Sequence, residues 1–344
     1  MNNKIKVTII GCGARGIEHA GAYASISDAT IWALCDPNLE RLKAFPGDIP
    51  TERRFADVAS LLKNHVPELV HLITPPTVRL AVIKQMLEAG VKAFVIEKPF
   101  ASSLAEARQI VALCQSHQAR FVVNHQLPCM GTFRRSKRLL EDGVIGEIER
   151  VRISCNGSPA EQGTHMIDLA GVFLGGLRPQ RLLGQIAGAK KLQAAHPSPE
   201  WMIGRILCEG GVPVDLVFGD IADPRVDPAL FWVGCRLEIF GSKGMIDQSL
   251  ARGYRIILHN GPMLVDTAYH WGTENDQAQR DFTREALDNF SGKHASLANS
   301  GEAALQPIAV LEGLMASAMN NTLENYPVEP IGDLAQSLKE RLTK

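Results

Sequence analysis

Lys98, His165 and Glu161 are the side chains of this chain whose types best suit moving protons, and none of them declares a role by type alone. Lys98 sits in Glu97-Lys98-Pro99, directly after the apolar run 92–96. An amine that is partly desolvated, or close to another positive charge, loses basicity and becomes a usable acid or base. The competing reading is a surface lysine paired with Glu97. His165 follows Thr164, a good N-cap for a helix over 165–174, which places the imidazole in the first turn. The positive end of a helix disfavours the imidazolium, so a neutral base is expected there. A satisfied structural histidine is the alternative. Glu161 completes an acid–base set with Lys98 and His165. Asp168 is read equally as a site residue or as a first-turn acid favouring the helix dipole. Glu161 and His165 lack further ligands at metal-binding spacing, so no metal site is expected.

A second signal names a ligand for these groups to work beside. Gly11-Cys12-Gly13-Ala14-Arg15-Gly16 is a G-x-G-x-x-G turn that follows the mostly apolar run 5–10 and opens a helical pattern. Asp36 ends the second apolar run, twenty residues after Gly16. This is the context of a dinucleotide site. Gly11 permits the tight turn, Gly13 lets the backbone approach the pyrophosphate, and Gly16 lets helix and strand pack closely. The N–H groups of the helix start, at Ala14 and Arg15, face the phosphates. Asp36 is expected to accept the ribose hydroxyls and repel a 2′-phosphate, favouring NAD, while Arg41 keeps NADP open. Asp36 also suits the N-cap of a 38–44 helix. The alternative to the whole reading is a glycine turn in a ligand-free α/β domain. Ligands of an open parallel sheet bind beyond the carboxyl ends of its strands. Thr74-Pro75-Pro76 and Glu97-Lys98-Pro99 fall there, so Lys98 is aimed at the nicotinamide ring. His19, on the first crossover helix, is read as packing or as a contact at the cofactor's edge.

The elements that must hold these groups follow from periodicity. Apolar runs at 5–10, 29–35, 69–73, 92–96 and 120–124 predict buried strands. Amphipathic stretches separate most of them, such as 76–89, with Val78, Leu80, Ile83 and Leu87, and 103–118. That alternation predicts an α/β domain with a parallel, doubly wound sheet. After a helix near 131–142, strands come in succession at 147–155, 181–188, 203–209, 212–219, 233–240 and 254–259, several separated by glycine turns. They predict a mainly antiparallel sheet, with helices at 273–291 and 301–320 closing the chain. The domains are expected at 1–124 and 125–330, with a tail over 331–344.

Composition narrows the class. The 344 residues carry 36 Lys+Arg against 37 Asp+Glu, so no basic field draws nucleic acid or anionic lipid. No apolar run approaches a membrane span, and the N-terminus lacks a signal-peptide pattern. The seven cysteines are scattered and form no C-x-x-C pair, so a reduced, cytoplasmic protein is expected.

Taken together, the glycine turn, Asp36, Thr74-Pro75-Pro76 and Glu97-Lys98-Pro99, in this order and spacing, resemble the glucose–fructose oxidoreductase/inositol dehydrogenase/MocA (Gfo/Idh/MocA) family. Gly143-Val144-Ile145-Gly146-Glu147-Ile148, Gly163-Thr164-His165-Met166-Ile167-Asp168-Leu169 and Phe240-Gly241-Ser242-Lys243-Gly244 extend the resemblance over about residues 4–320. It implies an N-terminal Rossmann domain and a C-terminal α+β domain, whose open sheet builds a homodimer or homotetramer. It implies Lys98, with its following proline often cis, and His165 as catalytic residues, with Glu161 where aspartate is more usual. Asn124 and Asp168 fall among the substrate-binding positions, and Thr74, Pro75 and Glu97 among the cofactor-binding ones. The chain departs from the pattern at Arg79, where histidine is frequent, and at Asn124-His125-Gln126, where arginine often follows the asparagine. It also departs in having only nine residues between strand 147–155 and His165. The implied activity is NAD(P)-dependent hydride transfer to or from a carbinol of a sugar, sugar acid or cyclitol. The rivals are a redox-neutral glycosidase or lyase with tightly bound NAD, and a non-catalytic sugar sensor. Trp271 and His270 could stack on a sugar ring, although a core or interface aromatic is the commoner case.

Overall fold

The computed structural model describes residues 4–194, 196–222, 232–293 and 299–343. It divides into two compact units. The first takes the chain up to Ser102, with Glu106–Gln126 and Gln279–Ala304; the second takes Ser103–Ala105, Leu127–Ala278 and the chain from Leu305 onward.

The first unit alternates strand and helix: β1 (Ile5–Ile10), α1 (Ala14–Ala24), β2 (Ala29–Cys35), α2 (Leu39–Ala44), β3 (Arg54–Phe55), α3 (Val58–Asn64), β4 (Leu69–Leu72), α4 (Arg79–Glu88), β5 (Ala93–Glu97), α5 (Leu104–Ser116) and β6 (Arg120–Asn124). Among the described residues the strands form one parallel sheet in the order β3-β2-β1-β4-β5-β6. The order reverses between β1 and β4, which is where such sheets bind nucleotides. The central strands are buried on both faces, as their continuous apolar runs require. Two details differ from the sequence reading. The 76–89 helix starts with a 3₁₀ turn, Pro76–Val78, and then exposes Val78 while burying Arg79. Its inward face therefore carries a cation that the apolar periodicity had no means of displaying. The second difference is at α2, whose N-cap is Asn38, accepting from the Glu40 and Arg41 N–H groups, and not Asp36.

The second unit contains α6 (Gly131–Glu141), β7 (Ile148–Cys155), α7 (Thr164–Phe173), β8 (Pro179–Ala187), β9 (Trp201–Cys208), β10 (Pro213–Phe218), β11 (Cys235–Gly241), β12 (Gly244–Ser249), β13 (Gly253–Leu258) and β14 (Leu264–Val265). The start of α8 (Trp271–Phe290), α9 (Leu305–Asn320), β15 (Glu324–Asn325) and α10 (Leu334–Leu342) complete it. Its sheet runs β14-β13-β12-β11-β7-β10-β9-β8-β15 and is antiparallel except for the β7–β10 pair. The face bearing Val151, Ile153, Leu182, Ile206, Leu216, Leu237, Ile246 and Ile256 is buried, and α6, α7 and α9 pack on this sheet.

Strand β12 was not anticipated. Its sequence, Gly-Met-Ile-Asp-Gln-Ser, buries Asp247 and Gln248 as well as Ile246, so it lacks the apolar alternation that marks a strand. Asp247 is held by Arg236 and Arg255, and Gln248 by Ser136 and Thr132. The neighbouring strands β11 and β13 supply the arginines, and helix α6, more than a hundred residues away in sequence, supplies the partners of Gln248.

Candidate active site

In the first unit, β1 delivers the chain into the glycine turn, where each glycine answers a different constraint. Gly11 has φ +102°, and a Cβ there would lie 2.6 Å from the Ile73 carbonyl oxygen. A Cβ on Gly16 would collide with the Gly11 carbonyl oxygen. Gly13 has no protein atom within 4 Å of such a Cβ. Gly11 and Gly16 are thus required by the protein, whereas Gly13 keeps open a space that a pyrophosphate would fill. Helix α1 begins there without a side-chain cap and with no acid in its first turn, leaving the positive helix end for an anion. The Asp36 carboxylate is 3% exposed. Oδ2 accepts from the Cys12 N–H at 2.7 Å and Oδ1 from the Asn38 N–H at 2.8 Å. It therefore braces the glycine turn while standing at the end of β2, as a ribose-binding acid must. Arg41 approaches it at 3.9 Å. Burial, and then the charge of Asp36, push the Cys12 thiol up to about 12, so this cysteine is no nucleophile.

At the carboxyl ends of β4 and β5, Glu97 is buried and works inward. Its Oε1 accepts from Arg15 Nη2 at 2.8 Å and lies 3.4 Å from His19 Nε2, and its Oε2 accepts from the Lys98 N–H. Burial opposes ionisation, yet the Arg15 guanidinium and His19 hold this carboxyl well below the usual range. Arg15 is therefore joined to Glu97 and to Glu18 through its side chain. His19 is fully buried beside His71, ring centroids 4.5 Å apart, and His71 Nδ1 meets the Tyr23 hydroxyl at 3.0 Å. Burial depresses both imidazoles and keeps them neutral. His19 is thus a packed partner of Glu97. Lys98 is half-buried and precedes a cis Pro99. The Thr74 hydroxyl is buried without a hydrogen-bond partner among the described residues, and Pro75 is exposed. Arg79, set aside above only as a departure, is 2% exposed and donates to the carbonyl oxygens of Thr74, Glu97 and Pro99. Asn124, fully buried at the end of β6, exchanges two hydrogen bonds with Gln279, a residue that sequence reasoning passed over. Nothing near Gln279 in the sequence marks it, because the pairing spans 155 residues.

In the second unit the helix carrying His165 starts earlier than expected. A π-helical turn, Pro159–Gly163, runs into α7, and Ser158 forms a capping box with Glu161. The Ser158 N–H and hydroxyl donate to Glu161 Oε2 at 3.1 and 2.9 Å, and Lys191 Nζ lies 3.6 Å from the same oxygen. Burial works against the Glu161 carboxylate, but these donors, with His196 nearby, hold it below the ordinary value. Thr164 makes no capping bond and lies inside the continuous helical run. Neither His165 nor Asp168 therefore stands at a free helix end, and Asp168 lies beyond the first turn of α7. His165 is 4% exposed, on a helix that is buried almost all round. Asp168 is half-buried. Irregular π turns of this kind gather at functional sites. Among the described residues no three His, Cys, Asp or Glu side chains group as they would around a metal ion.

The glycine turn, its bracing acid and the reversal of strand order mark the first unit as a dinucleotide-binding domain. Residues 5–125 match the model of the Gfo/Idh/MocA oxidoreductases, described as an oxidoreductase family with an NAD-binding Rossmann fold. The chain is 27% identical over 276 residues to the D-apiose dehydrogenase of Paraburkholderia graminis, covering 75% of this chain and 70% of that protein. Among solved structures it is similar to an oxidoreductase from Agrobacterium radiobacter in complex with NAD+, L-tartaric acid and magnesium. That match has a TM-score of 0.78 and 21% identity, over 94% of this chain and 98% of the other. An inositol dehydrogenase homologue from Azotobacter vinelandii, complexed with NADH and myo-inositol, matches with a TM-score of 0.78 and 18% identity, over 94% of this chain and 98% of its own. These structural likenesses bear out the two-domain fold class.

Proposed function

We propose that the protein is an NAD-dependent dehydrogenase acting on a carbinol of a sugar, sugar acid or cyclitol. The observation that carries this reading is the open cradle at Gly13 beside an Asp36 already locked onto the turn, at the same sheet edge from which Lys98 emerges. Ala14 and Arg15 offer backbone N–H groups to the phosphates, Asp36 takes the ribose hydroxyls, and Thr74, Pro75 and Glu97 border the nicotinamide end. Bound NAD supplies the acceptor for the carbinol hydride. His165 takes the hydroxyl proton, with Lys98 polarising the same oxygen or sharing the proton. Glu161, fixed by Ser158, sets the helical turn that presents His165 and holds a neighbouring hydroxyl. Asp168 adds a hydrogen bond to substrate. Asn124, whose carboxamide is already paired with Gln279, supports the substrate side from the end of β6. NAD is preferred over NADP because a 2′-phosphate would face the Asp36 carboxylate.

The relatives named D-apiose dehydrogenase and inositol dehydrogenase homologue support the substrate class. We further assign a homodimer or homotetramer through the uncovered face of the second sheet, where Leu183, Ile203 and Leu207 are exposed. A cytoplasmic location fits seven buried cysteines, none of them in a disulfide. Among the described residues no helix is long and apolar enough to cross a membrane.

The deciding experiment is a panel of sugars, sugar acids and cyclitols assayed for NADH and NADPH formation, with Lys98→Ala alongside. The expected result is NADH formation that Lys98→Ala abolishes while leaving NADH binding nearly intact. Turnover without net NADH would replace this reading by the redox-neutral one. A panel that is silent throughout would remove it.

A further inference from the structure

We propose that Arg79 is a positioning residue for Lys98, its buried guanidinium binding together the two backbone segments from which the site's carboxyl edge is built. The inference rests on the assignment of Lys98 given above. Nη1 of Arg79 donates to the carbonyl oxygens of Glu97 and Pro99, one on each side of Lys98, while Nε and Nη2 donate to the carbonyl of Thr74. The N–H of Lys98 is taken by Glu97 Oε2. Lys98 is thus held at its own N–H and through the carbonyls that flank it. The Glu97 carbonyl ends β5, and those of Thr74 and Pro99 lie beyond the ends of β4 and β5, where the sheet ladder no longer supplies N–H partners.

The arrangement needs an arginine. A planar fork with five N–H groups reaches carbonyls in different directions, whereas a lysine offers a single point charge on a flexible stem. Burial lowers Arg79 to about 10, so the guanidinium is still charged at neutral pH. The carboxylate that could have drawn it away, Glu97, is engaged by Arg15 and His19. The cation is left to the backbone. A reacting group displaced by about 1 Å loses on the order of a hundredfold in rate, so a clamp on both sides of Lys98 affects chemistry before it affects ligand affinity.

The test compares Arg79→Lys and Arg79→Met with the parent enzyme, using NADH-binding stoichiometry to correct for folded protein. Arg79→Lys keeps a buried cation of similar length and so preserves the fold even where Arg79→Met does not. The expected result is a fall in kcat of roughly ten- to a hundredfold in Arg79→Lys. The dissociation constant for NADH should stay within about threefold, and the pH profile of kcat should move, since the amine now samples several surroundings. Unchanged kcat per folded molecule in Arg79→Lys, with only the melting temperature lowered, would overturn the proposal and leave Arg79 a purely structural residue. An unchanged pH profile would do the same. Lys98→Ala with full turnover would instead remove the Lys98 assignment itself.

Discussion

Around the parallel sheet the buried charged side chains collect near the carboxyl ends of the strands, whereas in the mixed sheet a row of charged side chains, with Glu238 and Asp247 buried and Arg205 and Arg255 exposed, crosses the middle of the strands. At the first edge, Asp36 and Arg79 spend their hydrogen bonds on backbone, while Glu97 meets Arg15 and His19 on α1, and Asn124 meets Gln279 on α8. In the second, strand register sets Arg205, Asp215, Arg152, Glu238, Asp247 and Arg255 side by side on six neighbouring strands. Asp215 is shared by Arg205 at 2.6 Å and Arg150 at 2.7 Å. Glu238 and Asp247 stand directly opposite each other, a like-charge pair that Arg236 relieves by binding both. The first arrangement fixes the backbone at the strand ends. The second neutralises one face of a sheet through register alone.

The largest effects should come from the glycine turn. Gly11→Ala and Gly16→Ala should fold poorly, because a Cβ meets backbone at both positions and the first also has positive φ. Gly13→Ala should melt like the parent and bind NADH at least tenfold more weakly, about 1.4 kcal/mol, by titration calorimetry. Equal destabilisation by all three would erase the distinction between protein-required and ligand-required glycines.

Next in size is the mixed sheet. Asp247→Asn removes a buried carboxylate that binds Arg236 and Arg255, and should cost about 1–3 kcal/mol in urea unfolding. Lys43→Ala, which breaks an exposed pair with Glu40, should stay within about 0.5 kcal/mol. Cofactor choice should respond more moderately. Asp36→Ser should raise the preference for NADP over NAD by roughly tenfold in kcat/KM, as the carboxylate no longer opposes a 2′-phosphate.

The smallest effect separates the two regions by pH. Burial depresses His19 and His71, so their unfolded forms bind protons more readily than the folded ones. Their contribution to stability is complete above about pH 6.5 and is lost as pH falls below it. Asp215 and Asp247, held down by their arginines against burial, contribute above about pH 4 and lose that only as pH falls further. The melting temperature should therefore decline from pH 7 to 5.5, and His71→Asn should flatten that decline. An identical slope in His71→Asn would assign the loss elsewhere.

The parts of this protein legible in its sequence are the ones set locally. The strands β1, β2 and β6 fall where apolar runs end on turn residues, and the three glycines differ in role as their places in a strand–turn–helix demand. Lys98 and Asp36 could be placed at strand ends because an open parallel sheet has one ligand-binding edge. What tertiary structure alone decided is how buried polar groups are satisfied. Cys12 finds Asp36 across 24 residues, Arg79 finds Glu97 across 18, and Ser136 finds Gln248 across 112. Strand β12, the Asn124–Gln279 pair and the clamp around Lys98 all depend on such partners. Periodicity records which face of an element is apolar. It carries no trace of a polar group whose burial is made tolerable by a partner from another part of the chain.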